Sequence, residues 1–207
     1  TAFLYNGNLP GFLNGRIWQG PSKSICVPGL NCYSCPGALG ACPLGALQSS
    51  LSGVLLRFPF YVLGLMLLFG LLFGRTVCGW LCPFGFIQEL LYKIPSPKFT
   101  KNKATRTLTK LKYIIGLLFV IILPVIFFYV VGVGAPAFCK YICPAGTLEA
   151  ALPLLSTNPF LKQNLGMLFN WKLFLLLVTV IASIVIYRPF CRFICPLGAF
   201  YSLFNKL

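Results

Sequence analysis

The tetrapeptide Cys-Pro-x-Gly occurs four times in this chain: Cys42-Pro43-Leu44-Gly45, Cys82-Pro83-Phe84-Gly85, Cys143-Pro144-Ala145-Gly146 and Cys195-Pro196-Leu197-Gly198. Three copies carry a second cysteine four residues upstream, namely Cys78, Cys139 and Cys191. Repeated cysteine pairs ending in Cys-Pro point to iron–sulfur ligation. Each part of the motif has a physical task. Cysteines four apart on a helical turn face the same way. Proline opens a helix without needing its missing donor. Glycine clears side-chain volume where backbone approaches a bulky group. Amides of the helix start are free to donate to sulfur and tune its potential. Arg75, Lys140, Arg188 and Arg192 lie near the sulfurs in sequence, where they would stabilise an anionic cluster or anchor at a membrane interface.

The residues that are missing narrow the chemistry. There is no histidine, the usual axial ligand of b-type haem and the common ligand of zinc and copper. Asp is also absent, and Glu89 and Glu149 are the two acids, so paired-carboxylate catalysis has almost nothing to use. Both glutamates follow Cys-Pro motifs by about two helical turns. Capping or ion pairing suits them better than proton relay. A metal held here is held by sulfur.

The elements that position these cysteines are apolar. Hydrophobic residues make up 58% of the chain and charged ones 9%, against about 25% in a soluble domain. A bilayer is the natural solvent for such a surface. Spanning one takes about 20 apolar residues. Three runs qualify: about Gly53 to Gly74, with Arg57 and Pro59 near its start; about Tyr113 to Gly134, with a kink expected at Pro124; and about Trp171 to Tyr187. The expected fold is an all-α integral membrane protein with at least three transmembrane helices, forming a single domain over residues 1–207.

The net charge is +15, but the basic residues flank apolar runs, which excludes nucleic acid and suggests membrane topology. Residues 93–112 hold Lys93, Lys98, Lys101, Lys103, Arg106, Lys110 and Lys112, and are read as a cytoplasmic loop of an inner (plasma) membrane protein. Following the chain from there sorts the cysteines. Cys78, Cys82, Cys191 and Cys195 fall on the cytoplasmic side. Cys26, Cys32, Cys35, Cys42, Cys139 and Cys143 fall on the outer side. The two cytoplasmic segments, 75–112 and 188 onward, carry eleven Lys and Arg against six elsewhere.

An internal repeat follows. Each unit reads as cysteines with Cys-Pro-x-Gly, a membrane helix, then Cys-x-x-x-Cys-Pro-x-Gly. The first covers about 26–92 and the second about 139–204. Arg75-Thr76-Val77-Cys78 matches Arg188-Pro189-Phe190-Cys191. The units run in the same direction, as two parallel pseudo-repeats. That symmetry predicts a further membrane helix ending near Tyr5 and lying mostly upstream of Thr1.

A [4Fe–4S] cluster takes four thiolates, and the cytoplasmic side supplies Cys78, Cys82, Cys191 and Cys195. On the outer side, Cys139 and Cys143 need two partners. Cys42 heads a Cys-Pro-x-Gly. Cys35 is its expected companion, because it also precedes proline and seven residues make about two helical turns. Cys32 and Cys26 are the alternatives. Zinc and a thiol–disulfide relay, for which Cys32-Tyr33-Ser34-Cys35 has the right form, compete with the iron–sulfur reading.

The run Cys78-Gly79-Trp80-Leu81-Cys82-Pro83-Phe84-Gly85 and its repeats resemble the membrane iron–sulfur proteins of the NapH/NosR type, often called polyferredoxin-like. The resemblance extends from Cys32 to Phe200. It implies electron transfer between a membrane or cytoplasmic donor and an extracytoplasmic reductase. The sequence has no Cys-x-x-Cys-x-x-Cys ferredoxin tail and no flavin domain, so nitrate or nitrous-oxide pathways are not implied. The stretch Asn31-Cys32-Tyr33-Ser34-Cys35-Pro36-Gly37 also looks like a subgroup of clostridial-type 4Fe–4S binding membrane proteins.

The function expected is transmembrane electron transfer through two [4Fe–4S] clusters. The donor is a cytoplasmic ferredoxin-like protein drawn to the basic loop. The acceptor is an extracytoplasmic redox protein or another membrane subunit of an oxidoreductase complex. A hydrocarbon core about 30 Å thick is too wide for one fast hop between its faces, so the Cys-Pro-x-Gly segments are expected to fold inward. The alternative is a membrane anchor subunit that collects electrons from quinol, with a quinone pocket lined by aromatic residues.

Overall fold

A computed structural model describes residues 2–51, 59–98, 107–132, 134–158 and 165–204. Apart from a single bridge between Cys26 and Ala41, all regular structure among these residues is helical. Two short helices, α1 (Ala2–Tyr5) and α2 (Leu9–Asn14), lead into an irregular segment that carries Cys26, Cys32 and Cys35.

Each Cys-Pro motif starts a helix, and the proline takes a position in its first turn. These helices are α3 (Pro43–Leu51), α5 (Pro83–Tyr92), α8 (residues 144–157, beginning Pro144–Gly146) and α11 (Pro196–Leu203). Proline fits because the first helical amides have no intrahelical acceptor to lose. The upstream cysteines lie on short turns that end at these motifs. Cys78 is on a π turn (Val77–Leu81), Cys139 on α7 (Ala137–Tyr141) and Cys191 on α10 (Pro189–Phe193).

Two helices are long and apolar enough to cross a membrane: α6 (Leu111–Val131) and α9 (Met167–Val185). Across the most apolar stretch of each, only 11% of residues are buried, so their side chains face outward as lipid-contacting surfaces do. The apolar helix α4 (Phe60–Phe73) is 14 residues long, about 21 Å. The expected first span, from about Gly53, lies outside the described residues up to position 58. So do residues 99–106 of the basic loop.

The expected kink at Pro124 takes a specific form. Gly116–Ile122 is π-helical just before it. A second π stretch, Thr147–Ala151, precedes Pro153 in the same way. Proline lacks the N–H that the i−4 carbonyl needs and its ring crowds that carbonyl, and a widened turn relieves both problems.

The short helices pack inside the long ones. α3 lies on α4 and on the π-helical middle of α6, α5 lies along α9, and α11 lies on the start of α6. The core between them is built from residues that neighbour the cysteines: Phe84, Phe138, Phe190 and Tyr201, each at most 2% exposed. Phe84 and Phe190 meet edge to face at 5.3 Å, and Phe138 and Phe190 stand 6.5 Å apart.

Two glycines of α4 separate packing from propensity. A Cβ at Gly70 would sit 2.8 Å from the Phe204 ring, whereas a Cβ at Gly64 would meet nothing within 4 Å. Gly70→Ala is expected to lose about 1–3 kcal/mol through overpacking. Gly64→Ala is expected to gain about 0.5–1 kcal/mol of helix stability. Thermal unfolding in detergent checks the opposite signs.

Candidate metal centres

The cysteines gather into two groups. At the first, the Cys82 site, Cys78, Cys82, Cys191 and Cys195 are close enough to act on one another electrostatically. Cys82 and Cys195 are the N-cap residues of α5 and α11. Each accepts a hydrogen bond at Sγ from the backbone of the glycine three residues on, Gly85 or Gly198, at 3.4 Å. The glycines are needed because a Cβ at Gly85 would lie 2.2 Å from Cys78 O, and one at Gly198 would lie 2.8 Å from Cys191 O.

Burial is the leading reason these thiols resist ionisation, and neighbouring thiols add to it. It pushes Cys78, Cys82 and Cys191 up to about 12. Such thiols become thiolates when a metal displaces the proton.

Cations line the entrance. Arg75, Arg188 and Arg192 border a cavity of about 300 Å³ beside Cys78 and Cys191. Arg188 pairs with Glu89 and donates from Nη1 to Cys78 O at 3.4 Å. Its backbone is left-handed, with φ 48°, an unusual conformation for a residue with a side chain. Ion pairing is one of the roles expected for Glu89, but its partner is Arg188, 99 residues away, and not a nearby lysine. Lys112, which the sequence placed in the basic loop, instead turns inward at the start of α6 and donates to Gly198 O at 3.4 Å and Ser202 Oγ at 3.0 Å.

The second group, the Cys42 site, contains Cys42, Cys139, Cys143 and Cys32. The amides of Gly45 and Gly146 lie near the Cys42 and Cys143 sulfurs and oppose the effect of burial, but Cys143 lacks the capping hydrogen bond that Cys82 and Cys195 accept. Burial pushes both thiols up to about 12. Cys35, the partner expected from the sequence, stands apart with its thiol 3.7 Å from Asn6 Oδ1. The reason is local. Residues 35–42 run as turns, helix begins only at Pro43, and Cys35 N closes a turn onto Cys32 O at 3.0 Å. The two-helical-turn spacing therefore does not apply, and Cys32 is the cysteine that reaches the group. Cys26 lines the same cavity, of about 930 Å³, as Cys32, Cys42, Cys139 and Cys143. Lys23, Lys140 and Lys172 supply positive charge there, and Lys172 Nζ donates to Cys139 O at 3.2 Å.

Of one set of four residues, the sequence reading singled out only Glu149 and missed Gln48, Gln88 and Tyr201. The sixth residue after each Cys-Pro cysteine reaches across to a different cysteine segment. Gln48 and Gln88 bond to Cys139 and Cys191. Glu149 accepts from Cys32 N at 2.8 Å, and Tyr201 donates to Pro28 O at 2.9 Å. Burial, opposed by the Cys32 N–H, pushes Glu149 up to about 7. The signal was present as a fixed offset of six, but its residue types differ, so only the paired folds reveal it.

The two groups are near neighbours. Phe138 precedes Cys139, Phe190 precedes Cys191, and their rings touch in the core. Tyr201 is packed close to Cys42 as well as to Cys78, Cys82 and Cys195.

The donor sets fit iron–sulfur clusters. Each group offers four buried or half-buried thiols, backbone amides aimed at sulfur, and flanking cations. At the Cys42 site, Asn31 Nδ2 and Oδ1, Thr147 Oγ1 and Glu149 Oε1 are buried without a hydrogen-bond partner, leaving polar atoms for a bound group to satisfy. Among the described residues, no three His, Cys, Asp or Glu side chains close on a point suited to one metal ion.

Residues 56–102, 114–156 and 170–207 match the family described as a 4Fe-4S binding domain. The three stretches contain Cys78 and Cys82, Cys139 and Cys143, and Cys191 and Cys195, respectively. An uncharacterized protein of Methanocaldococcus jannaschii is 33% identical over 142 residues, 65% of this chain and 50% of the relative. Protein NirI of Paracoccus denitrificans is 34% identical over 67% of this chain and 18% of its own length. Regulatory protein NosR of Pseudomonas aeruginosa is 32% identical over 62% of this chain and 16% of its own. The chain thus spans half or less of the length of these relatives. The last two agree with the NapH/NosR-type resemblance of the motifs. No solved structure matches the chain.

The glycines give a test independent of bound metal. Gly85→Ala forces a methyl into the Cys78 carbonyl and is expected to cost about 1–3 kcal/mol or more. Gly45→Ala, with Cys139 Sγ as its nearest neighbour at 3.9 Å, is expected to cost less. Unfolding of the two metal-free variants, compared side by side, gives the ordering.

Proposed function

Because the chain belongs to the 4Fe-4S binding domain family, we propose that it is a multi-pass membrane protein that conducts electrons between two [4Fe–4S] clusters. The family match supports iron–sulfur binding, from which the electron-transfer role follows as the chemistry such clusters carry. The assignment of two clusters rests on one observation above others: two four-cysteine groups, each drawn from both halves of the chain, with touching aromatic rings between them.

In this reading Cys78, Cys82, Cys191 and Cys195 hold one cluster, and Cys32, Cys42, Cys139 and Cys143 hold the other. Each cluster, when bound, supplies a one-electron store. The protein does the rest. The amides of Gly85 and Gly198, with Arg188 and Lys112, balance negative charge at the first site. Lys172 and Lys140 do so at the second. The rings of Phe138 and Phe190 exclude water from the space between. The inward folding of the Cys-Pro helices shortens the distance that a membrane would otherwise impose. With three spanning helices and residues 93–112 on the cytoplasmic side, the Cys82 site faces the cytoplasm. There the basic loop would receive an acidic donor such as a small ferredoxin, and the Cys42 site would serve an extracytoplasmic acceptor or membrane subunit. The quinol-linked alternative draws on the cavity beside the Cys42 site, about 930 Å³ and largely apolar, with Tyr61 on its wall.

Anaerobic iron and sulfide analysis with EPR tests the reading. Wild-type protein is expected to hold about eight irons per chain in two distinguishable cubanes. Cys32→Ser is expected to lose about half of that iron, and Cys35→Ser to retain it. Retention in the first with loss in the second restores Cys35 as the ligand. An iron-free wild type sinks the proposal. Reoxidation of the reduced protein by a quinone favours the anchor-subunit alternative.

A further inference from the structure

Gln48 and Gln88 occupy equivalent positions at the two sites and are 0% and 1% exposed. Gln48 Nε2 donates to Cys139 Sγ at 3.5 Å, and its Oε1 accepts from Phe138 N–H at 3.0 Å. Gln88 Nε2 donates to Cys191 Sγ at 3.3 Å, and its Oε1 accepts from Phe190 N–H at 3.2 Å. Each Nε2 also donates to its own helix, at Leu44 O or Phe84 O, at 3.4 Å. The backbone N–H fixes which way each amide points, because a donor must face Oε1. The NH₂ group is thereby held against sulfur.

Burying a primary amide carries a desolvation penalty that an apolar side chain avoids. A spacer between helices would need no amide. The Glu149 and Tyr201 side chains, at the same offset in the other two Cys-Pro helices, bond backbone instead of sulfur. Among the described residues, each site therefore has one glutamine amide bonded to sulfur, placed on the first cysteine of the segment contributed by the other half of the chain.

Resting on the two-cluster reading, we propose that Gln48 and Gln88 are positioning residues that set the reduction potential of the group at their own site. Reduction adds negative charge to the cluster and its thiolates. An N–H aimed at a ligating sulfur stabilises that state and raises the potential. A neutral amide does this without a counter-charge that would have to be buried.

The test is an EPR-monitored redox titration of full-length wild type and of Gln88→Leu, Gln88→Glu, Gln48→Leu and Gln48→Glu. Leucine removes the hydrogen bonds to sulfur and to the Phe N–H. Glutamate keeps the acceptor for the Phe N–H but replaces the donor with negative charge. Both Gln88 variants are expected to lower the potential of the Cys82-site signal, glutamate further than leucine, and to leave the other signal in place. The Gln48 variants are expected to do the same at the Cys42 site. Loss of only the addressed cluster in both variants of one glutamine also supports its placement. Unmoved potentials, equal shifts at both sites, or loss of both clusters together overturn the assignment. A wild type without two signals sinks the two-cluster reading and this inference with it. A normal wild type with unmoved variants sinks the glutamine assignment alone.

Discussion

A sulfur taken out of water can carry negative charge only where donors and cations surround it. That constraint shapes this molecule more than any other. Ten cysteines sit in a chain with two acids and no histidine, and most of them are buried. Burial first, and neighbouring thiols after it, drive Cys42, Cys78, Cys82, Cys143 and Cys191 well above the ordinary thiol range. The fold answers with helix N-termini. Four times a cysteine precedes a helix whose first turn holds proline, and at Cys82 and Cys195 the following glycine amide donates to sulfur. Arginines reinforce one site and lysines the other.

The same need ties the two halves together. A helix that begins at one cysteine reaches, six residues later, a cysteine segment elsewhere in the chain. Gln48 holds Phe138 and Cys139, Gln88 holds Phe190 and Cys191, Glu149 holds Cys32, and Tyr201 holds Pro28. These contacts join residues 90 to 173 positions apart, so neither site can form before the halves meet. They also draw the cysteine segments away from the helix ends and into a shared aromatic core. Proline-induced π turns in α6 and α8 let long helices pass that core without leaving carbonyls stranded.

Membership in the 4Fe-4S binding domain family accords with this arrangement. Each of the three matched stretches contains a Cys-Pro motif and a long apolar helix or part of one. The segment from Cys26 to Cys42 lies outside them, and there the chain takes a different local form. An irregular loop replaces the short cysteine helix seen at Cys139 and Cys191. As a result the Cys42 site has the larger cavity, an extra cysteine in its wall, and three lysines in place of arginines.

The cysteine chemistry, the helix starts and the apolar character were legible in the sequence, because each depends on residues close together in the chain. Cys-Pro-x-Gly states its own geometry, and long runs without charge state their own solvent. The structure brings Cys78, Cys82, Cys191 and Cys195 near one another, and their order between apolar runs had suggested that grouping. What only the tertiary structure decided are matters of direction. Cys32 rather than Cys35 turns toward Cys42, because residues 35–42 form turns whose side-chain headings follow no fixed period. Lys112 points inward from the start of a membrane helix, though its composition reads as loop. Gln48 and Gln88 look like ordinary polar residues until the segment across from them is in place. A partner about 90 residues or more away leaves no mark on local sequence, and its identity is set only when the two surfaces pack.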